Sequence, residues 1–109
     1  MKAHPLVVAA LLMTAGCGTD PDTRPVTFEV ITYEVLQPNC GATYCHSTVT
    51  NTAELAFDTL AAARKSLTPP NVGRILQVID EKTMPSDSPM DPRDIALFEA
   101  WVDAGRPGL

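Results

Sequence analysis

The nine residues Asn39-Cys40-Gly41-Ala42-Thr43-Tyr44-Cys45-His46-Ser47 constrain this chain more than any other stretch, because they set two thiols and an imidazole on one short piece of backbone. Whatever uses those groups must sit against this segment, and the rest of a small domain has to fold around it. Two thiols followed at once by an imidazole can tie a haem to a chain: each thiol adds to a vinyl group and the imidazole ligates the iron. The spacing is Cys-x4-Cys-His, wider than the usual Cys-x2-Cys-His. In an exported protein the same two thiols can instead close a disulfide. Zinc is less well served, since Cys40, Cys45 and His46 give three ligands and no second histidine or further cysteine completes a tetrahedral set. A nucleophilic cysteine would have His46 beside it but no group to orient that imidazole.

The amino-terminal end does not read as part of the fold. Met1-Lys2-Ala3-His4 is a short basic start, Leu6 to Met13 is unbroken apolar sequence, and Thr14-Ala15-Gly16 places small residues before Cys17. This is the pattern of a secretory signal over residues 1–16, too short for a spanning helix. Met13-Thr14-Ala15-Gly16-Cys17 also resembles the lipobox of bacterial lipoproteins, with Thr14 where that family most often has leucine. The resemblance implies lipidation of Cys17 and an exported domain anchored by lipid to a bacterial membrane, in the periplasm or at the cell surface. Cysteine arithmetic agrees: three cysteines leave one unpaired, and acylation of Cys17 removes the odd thiol. Several acyl chains hold firmly where one binds only marginally. An ordinary signal peptide cut nearby is the plainer alternative.

Loss of residues 1–16 removes Lys2, so seven basic residues face thirteen acidic ones, a formal charge of −6. Nucleic acid is not expected as a partner. The acidic residues are scattered, as on a solvated surface. About 93 residues remain for a linker and one small domain, a size at which apolar burial alone is marginal. A covalently held haem would supply much of the missing core.

Gly18 to Pro25 is polar and proline-containing and reads as a flexible linker over 17–25. Phe28, Ile31, Val35 and Leu36 form the stripe of an amphipathic helix from Thr27 to Gln37, despite β-branched residues that favour a strand, and Pro38 is expected to end it. Ser47 to Thr52 reads as a loop. Asp58 or Thr59 can cap a helix over Leu60 to Ser66, with Leu55, Phe57, Leu60 and Leu67 as apolar wall. Thr68-Pro69-Pro70 is read as a break, after which Asn71 caps a helix to about Glu81 with Val72, Ile75, Leu76 and Ile79 on one face. Thr83 to Met90 is a loop by composition. Asp91-Pro92-Arg93-Asp94 is a strong helix start, Ile95, Phe98, Trp101 and Val102 follow at helical spacing, and Ala104-Gly105 with Pro107 ends the helix.

Once the leader is removed His46 is the sole imidazole, so ligation of an iron by two histidines of one chain is excluded. The remaining soft donors are Met84 and Met90. Met84 is favoured, because Pro85 stiffens the loop that presents its sulfur, while Met90 at the entry to the last helix is assigned to packing.

Residues 28 to 105 resemble the small monohaem c-type cytochrome domains of exported bacterial proteins. The likeness is carried by the first helix, Cys40 and Cys45-His46-Ser47, Met84-Pro85, and Phe98-Glu99-Ala100-Trp101-Val102-Asp103-Ala104-Gly105, which is similar to the family's isoleucine-x-x-tryptophan-isoleucine-x-x-glycine-alanine ending. The resemblance implies an all-α, cytochrome c-like bundle of about four short helices around haem c, over residues 26–109. It implies thioether attachment at Cys40 and Cys45, His46 and Met84 as axial iron ligands, and Trp101 packed where the last helix crosses the first. The function implied is electron transfer to or from a redox partner protein, without enzymatic chemistry. The alternative left open is an exported structural or interaction lipoprotein with a Cys40–Cys45 disulfide.

Overall fold

A computed structural model of the chain describes residues 22–43 and 45–109. The signal peptide expected over 1–16, the lipidation expected at Cys17 and the first part of the linker lie outside the described residues. The described residues form four helices and one 3₁₀ turn, with no strand.

Helix α1 starts where Thr27 accepts the Val30 N–H on its Oγ1 at 3.2 Å. It continues without a break as Phe28–Val30, a π-helical Ile31–Leu36 and an α-helical Gln37–Cys40. The end expected at Pro38 is therefore corrected, since Pro38 lies inside the last turn. In a regular α-helix a proline ring strikes the carbonyl four residues back and offers no N–H to it. The turns before Pro38 are widened instead: the Gln37 N–H donates to the Thr32 carbonyl five residues back, and the Gly41 N–H is shared between the Leu36 and Gln37 carbonyls at 3.0 Å each. Widening makes room for the ring, and the helix reaches Cys40.

Helix α2 is Leu60–Ser66, capped by Thr59, whose Oγ1 accepts the Ala62 N–H at 3.0 Å. Helix α3 is Pro69–Asp80 and begins earlier than the sequence reading placed it. Thr68 is the cap, and both prolines fill the first turn, where a backbone N–H has no partner within the helix. Asn71 serves the preceding helix instead, donating Nδ2–H to the Ser66 carbonyl at 2.9 Å. Helix α4 is Pro92–Asp103, with Asp91 accepting the Arg93 N–H at 2.8 Å. Gly105 ends it at φ +88°: its N–H donates to the Val102 carbonyl at 3.0 Å, and the Arg106 N–H to the Trp101 carbonyl at 2.9 Å.

The core forms where α4 lies against α1. Phe28, Ile31, Val35 and Leu36 from α1 meet Leu97, Phe98 and Trp101 from α4, all buried. The Trp101 ring stacks on Phe98 with centroids 5.9 Å apart and lies 6.4 Å from Phe28. Burying a ring of that size contributes about 4–6 kcal/mol, and its indole N–H is satisfied by the Pro107 carbonyl at 3.0 Å. Arg64 of α2 lies 4.8 Å over the Phe28 ring and donates to the Gly108 carbonyl at 2.7 Å. Gly108 has φ +94°, and a Cβ there would stand 2.8 Å from the Phe28 Cβ, so the last residues close tightly over the start of α1. Phe57, Leu67, Val72, Ile75, Ile79 and Met90 complete the core. Met90 is thus a packing residue. Asp22 and Arg24, in the stretch read as linker, are held to the domain by Arg24 contacts to Asp22 and Asp94 at 2.8 Å each.

One polar group in this core is unmatched. Thr32 is fully buried, and its Oγ1 has no hydrogen-bond partner among the described residues. A buried hydroxyl without a partner costs about 1–3 kcal/mol. Thr32→Val is expected to raise the stability by about 1 kcal/mol, read as a higher urea midpoint with unchanged slope.

Candidate functional site

Three segments meet on one side of the molecule: the end of α1 with the turn after it, the loop from Ser47 to Asp58, and the turn after α3. The first carries Cys40, Cys45 and His46. Gly41 takes the chain off α1 in a space that admits no side chain, since a Cβ there would lie 2.9 Å from the Gln37 Cα and 3.4 Å from the Phe57 carbonyl carbon. The longer Cys-x4-Cys spacing is taken up by a turn in which the Cys45 N–H donates to the Ala42 carbonyl at 2.8 Å. The His46 N–H then donates to the Cys40 carbonyl at 2.8 Å, which returns Cys45 and His46 to the end of α1.

His46 is fixed by its surroundings. Its carbonyl accepts the Phe57 N–H at 2.9 Å, and its ring meets Phe57 edge-on with centroids 5.9 Å apart. Nδ1 lies 2.8 Å from the Thr52 carbonyl oxygen. A carbonyl can only accept, so Nδ1 carries the proton and donates, and the Nε2 lone pair is the one left for a metal. Thr52 is presented by strained backbone: Asn51, Ala53 and Glu54 have φ of 46°, 54° and 60°. Each such non-glycine residue costs roughly 1–2 kcal/mol, and strain of this kind gathers at functional sites.

The loop is braced from both sides. The Asp58 carboxylate accepts the Thr48 N–H at 3.0 Å and the Thr48 hydroxyl at 2.7 Å, and the hydroxyl bond above all holds Asp58 below the usual carboxylate range. Gln37 of α1 donates to the Asp58 carbonyl at 3.0 Å. Buried Ser66 of α2 accepts the Ala56 N–H at 2.9 Å and lies 3.1 Å from the Ala56 carbonyl, which fixes the backbone before Phe57.

The third segment brings Met84. Lys82 adopts φ +60° just beyond α3, its N–H donates to the Ile79 carbonyl at 3.1 Å, and the Thr83 and Met84 N–H groups donate to the Val78 carbonyl at 3.0 and 3.3 Å. This reversal folds Met84 back over the final turn of α3, with the residue 43% exposed.

The four side chains singled out in the sequence come together. Cys40, Cys45, His46 and Met84 all line one cavity of about 240 Å³, with Leu55, Phe57, Ile75, Val78 and Ile79 as apolar wall. A second cavity of about 210 Å³ shares His46, Leu55, Ile75, Val78 and Met84 with it and adds Asn71 and Arg74. Side by side, they reach the size range of small-molecule sites. Cys40 is half-buried, Cys45 exposed, and both are free thiols. Burial first, and the neighbouring Cys45 second, push the Cys40 thiol from its ordinary 9.0 up to about 12.

The donors and the wall suit a thioether-bound haem: two unbonded thiols, an imidazole with its tautomer set, a thioether sulfur and an apolar lining share one crevice. Among the described residues no three His, Cys, Asp or Glu side chains group so as to hold a metal ion. The Thr52 carbonyl escaped the sequence reading because a backbone oxygen leaves no residue signature. Val78 lies off the stripe used to define α3 and lines the cavity from the last turns of that helix. Comparison with family models, with curated proteins and with solved structures finds no match for this chain.

Two outcomes test this geometry. Gly41→Ala forces a methyl against backbone and is expected to cost about 1–3 kcal/mol in a urea titration. Above pH 9 an unfolded Cys40 ionises while the folded one keeps its proton, so stability of the haem-free chain should fall as pH rises from about 9 toward 12. Cys40→Ser should flatten that alkaline limb of the denaturation profile.

Proposed function

We propose that this protein is an exported electron carrier of the c-type cytochrome kind, holding one haem in the crevice between the end of α1, the Ser47–Asp58 loop and the turn after α3. The observation that carries this reading is the convergence of Cys40, Cys45, His46 and Met84 on one apolar cavity from separate parts of the chain. The Cys40 and Cys45 S–H groups would each add across a vinyl double bond, sulfur to one carbon and hydrogen to the other, so that attachment needs no oxidant. His46 would offer Nε2 to the iron, while Nδ1–H on the Thr52 carbonyl keeps the ring oriented and Nε2 basic. Met84 would offer its thioether sulfur as a second ligand from the turn after α3.

When bound, haem iron supplies a reversible one-electron step whose potential depends on axial ligands and exposure. Methionine ligation would raise that potential, and the apolar wall of Leu55, Phe57, Ile75 and Ile79 would raise it further by excluding water. No residue of the crevice has to move a proton, which suits a carrier that passes electrons to a partner protein. The leader and Cys17 add lipid attachment to a bacterial membrane, so the partner would be met at that surface. No helix among the described residues is long and apolar enough to cross a membrane.

The exported chain, produced together with cytochrome maturation proteins, is expected to give a haem-adduct mass and the pyridine haemochrome spectrum of a thioether-linked haem. A product two hydrogens lighter than the reduced chain, without Soret absorption, would establish a Cys40–Cys45 disulfide and overturn the reading. Met84→Ala should keep covalent haem, change the ligand-field spectrum and lower the potential. An unchanged spectrum would remove Met84 as sixth ligand.

A further inference from the structure

Asp94 occupies a position that neither packing nor helix capping requires of it. It lies in the first turn of α4, whose cap is already provided by Asp91, and both its oxygens are engaged by other parts of the chain. Oδ1 accepts from Arg24 at 2.8 Å, and Oδ2 accepts from the Asn39 Nδ2 at 3.2 Å. The same Asn39 nitrogen lies 2.7 Å from the Val35 carbonyl, inside the π-helical stretch, and Asn39 directly precedes Cys40 and lines the cavity. Arg24 is held in turn by Asp22, through Nε at 3.0 Å and Nη2 at 2.8 Å. The segment from Asp22 to Val26 runs beside a shallow groove of α4 that Leu97 and Ala100 help to line. One carboxylate therefore joins the amino-terminal segment to the last turn of α1.

We propose that Asp94 is a positioning residue that clasps the amino-terminal segment to the turn bearing Cys40, so that the segment leading to the membrane side of the chain and the cofactor-attachment turn move as one unit. The proposal takes its meaning from the haem reading, but the contact it rests on exists without haem. While the clasp is closed, Asn39 is held and the Cys40 thiol stays half-buried; when Arg24 is released, Asp94 is held less firmly as the acceptor of Asn39 and the end of α1 opens more often. Side chains of Arg24 and Asp94 are 25% and 19% exposed, so the link is only partly screened by solvent, and each opening is a local event that leaves the α1–α4 core intact. A clasp of this kind would let the amino-terminal segment decide how readily Cys40 is reached for attachment.

The test is the rate at which N-ethylmaleimide alkylates each cysteine of the exported full chain, kept reduced and made without maturation proteins, with Cys40 and Cys45 read separately by peptide mass spectrometry. Arg24→Gln, which touches neither cysteine nor the core, is expected to raise the Cys40 rate by about two- to five-fold, the size set by one partly exposed ion pair, and to leave Cys45 unchanged. In an Asp94→Ala background, Arg24→Gln should add nothing, because the path through the carboxylate is already cut. An unchanged Cys40 rate in Arg24→Gln would overturn the proposal, as would an equal rise at both cysteines or full additivity of the two substitutions. Absence of haem in the matured product would refute the haem reading and leave these rates standing.

Discussion

The contact of α4 with α1 through Phe28, Phe98 and Trp101 is the interaction on which the rest of this structure depends. The domain is too small to have a second core, so the apolar stripe of α1 has to find its cover there. With that contact made, α1 is fixed in place, and its far end presents Cys40. The carboxyl-terminal residues fold back over the same place, with the Pro107 and Gly108 carbonyls taken by Trp101 and Arg64. Stability is thus concentrated at one pole, and the crevice lies at the other end of α1.

Between the two poles, α1 changes its pitch. The π-helical stretch lets the helix pass Pro38 and deliver Cys40 in helical geometry, and it contains Thr32, whose buried hydroxyl has no partner among the described residues. Departures from ordinary geometry occur at both poles: the widened turns, the left-handed residues at 51, 53 and 54, and Lys82 just beyond α3 lie in the segments that lead to the crevice, and Arg106 at φ 56° lies in the carboxyl-terminal turn over the core. Their cost has to be offset by the packed core. In the proposed reading it is offset further by the cofactor, whose faces would cover Leu55, Phe57 and Ile75.

The sequence was most legible where a local rule decides the outcome. Thr59 and Asp91 cap the helices expected of them, Gly105 ends the last helix, and the stripe of Phe28, Ile31, Val35 and Leu36 is fully buried. It misled where two local rules compete. Pro38 reads as a stop, and the Thr68-Pro69-Pro70 run reads as a break. A change of pitch accommodates the first, and the first turn of α3 accommodates the second, because the N–H that proline lacks is not needed there. The end of α3, expected at about Glu81, falls at Asp80 with Glu81 as its cap, and Lys82 at φ +60° then turns the chain without a glycine.

For the site, the sequence by itself determined the chemical inventory: two neighbouring thiols, an imidazole directly after them and methionines at 84 and 90, because residue type sets what a side chain can donate. Only the tertiary structure decided which of these meet. Met84 reaches the cavity and Met90 enters the core because the chain reverses at Lys82, and the His46 tautomer is set by a carbonyl six residues away. Distance through space depends on turns and helix packing, and those are properties of the whole chain.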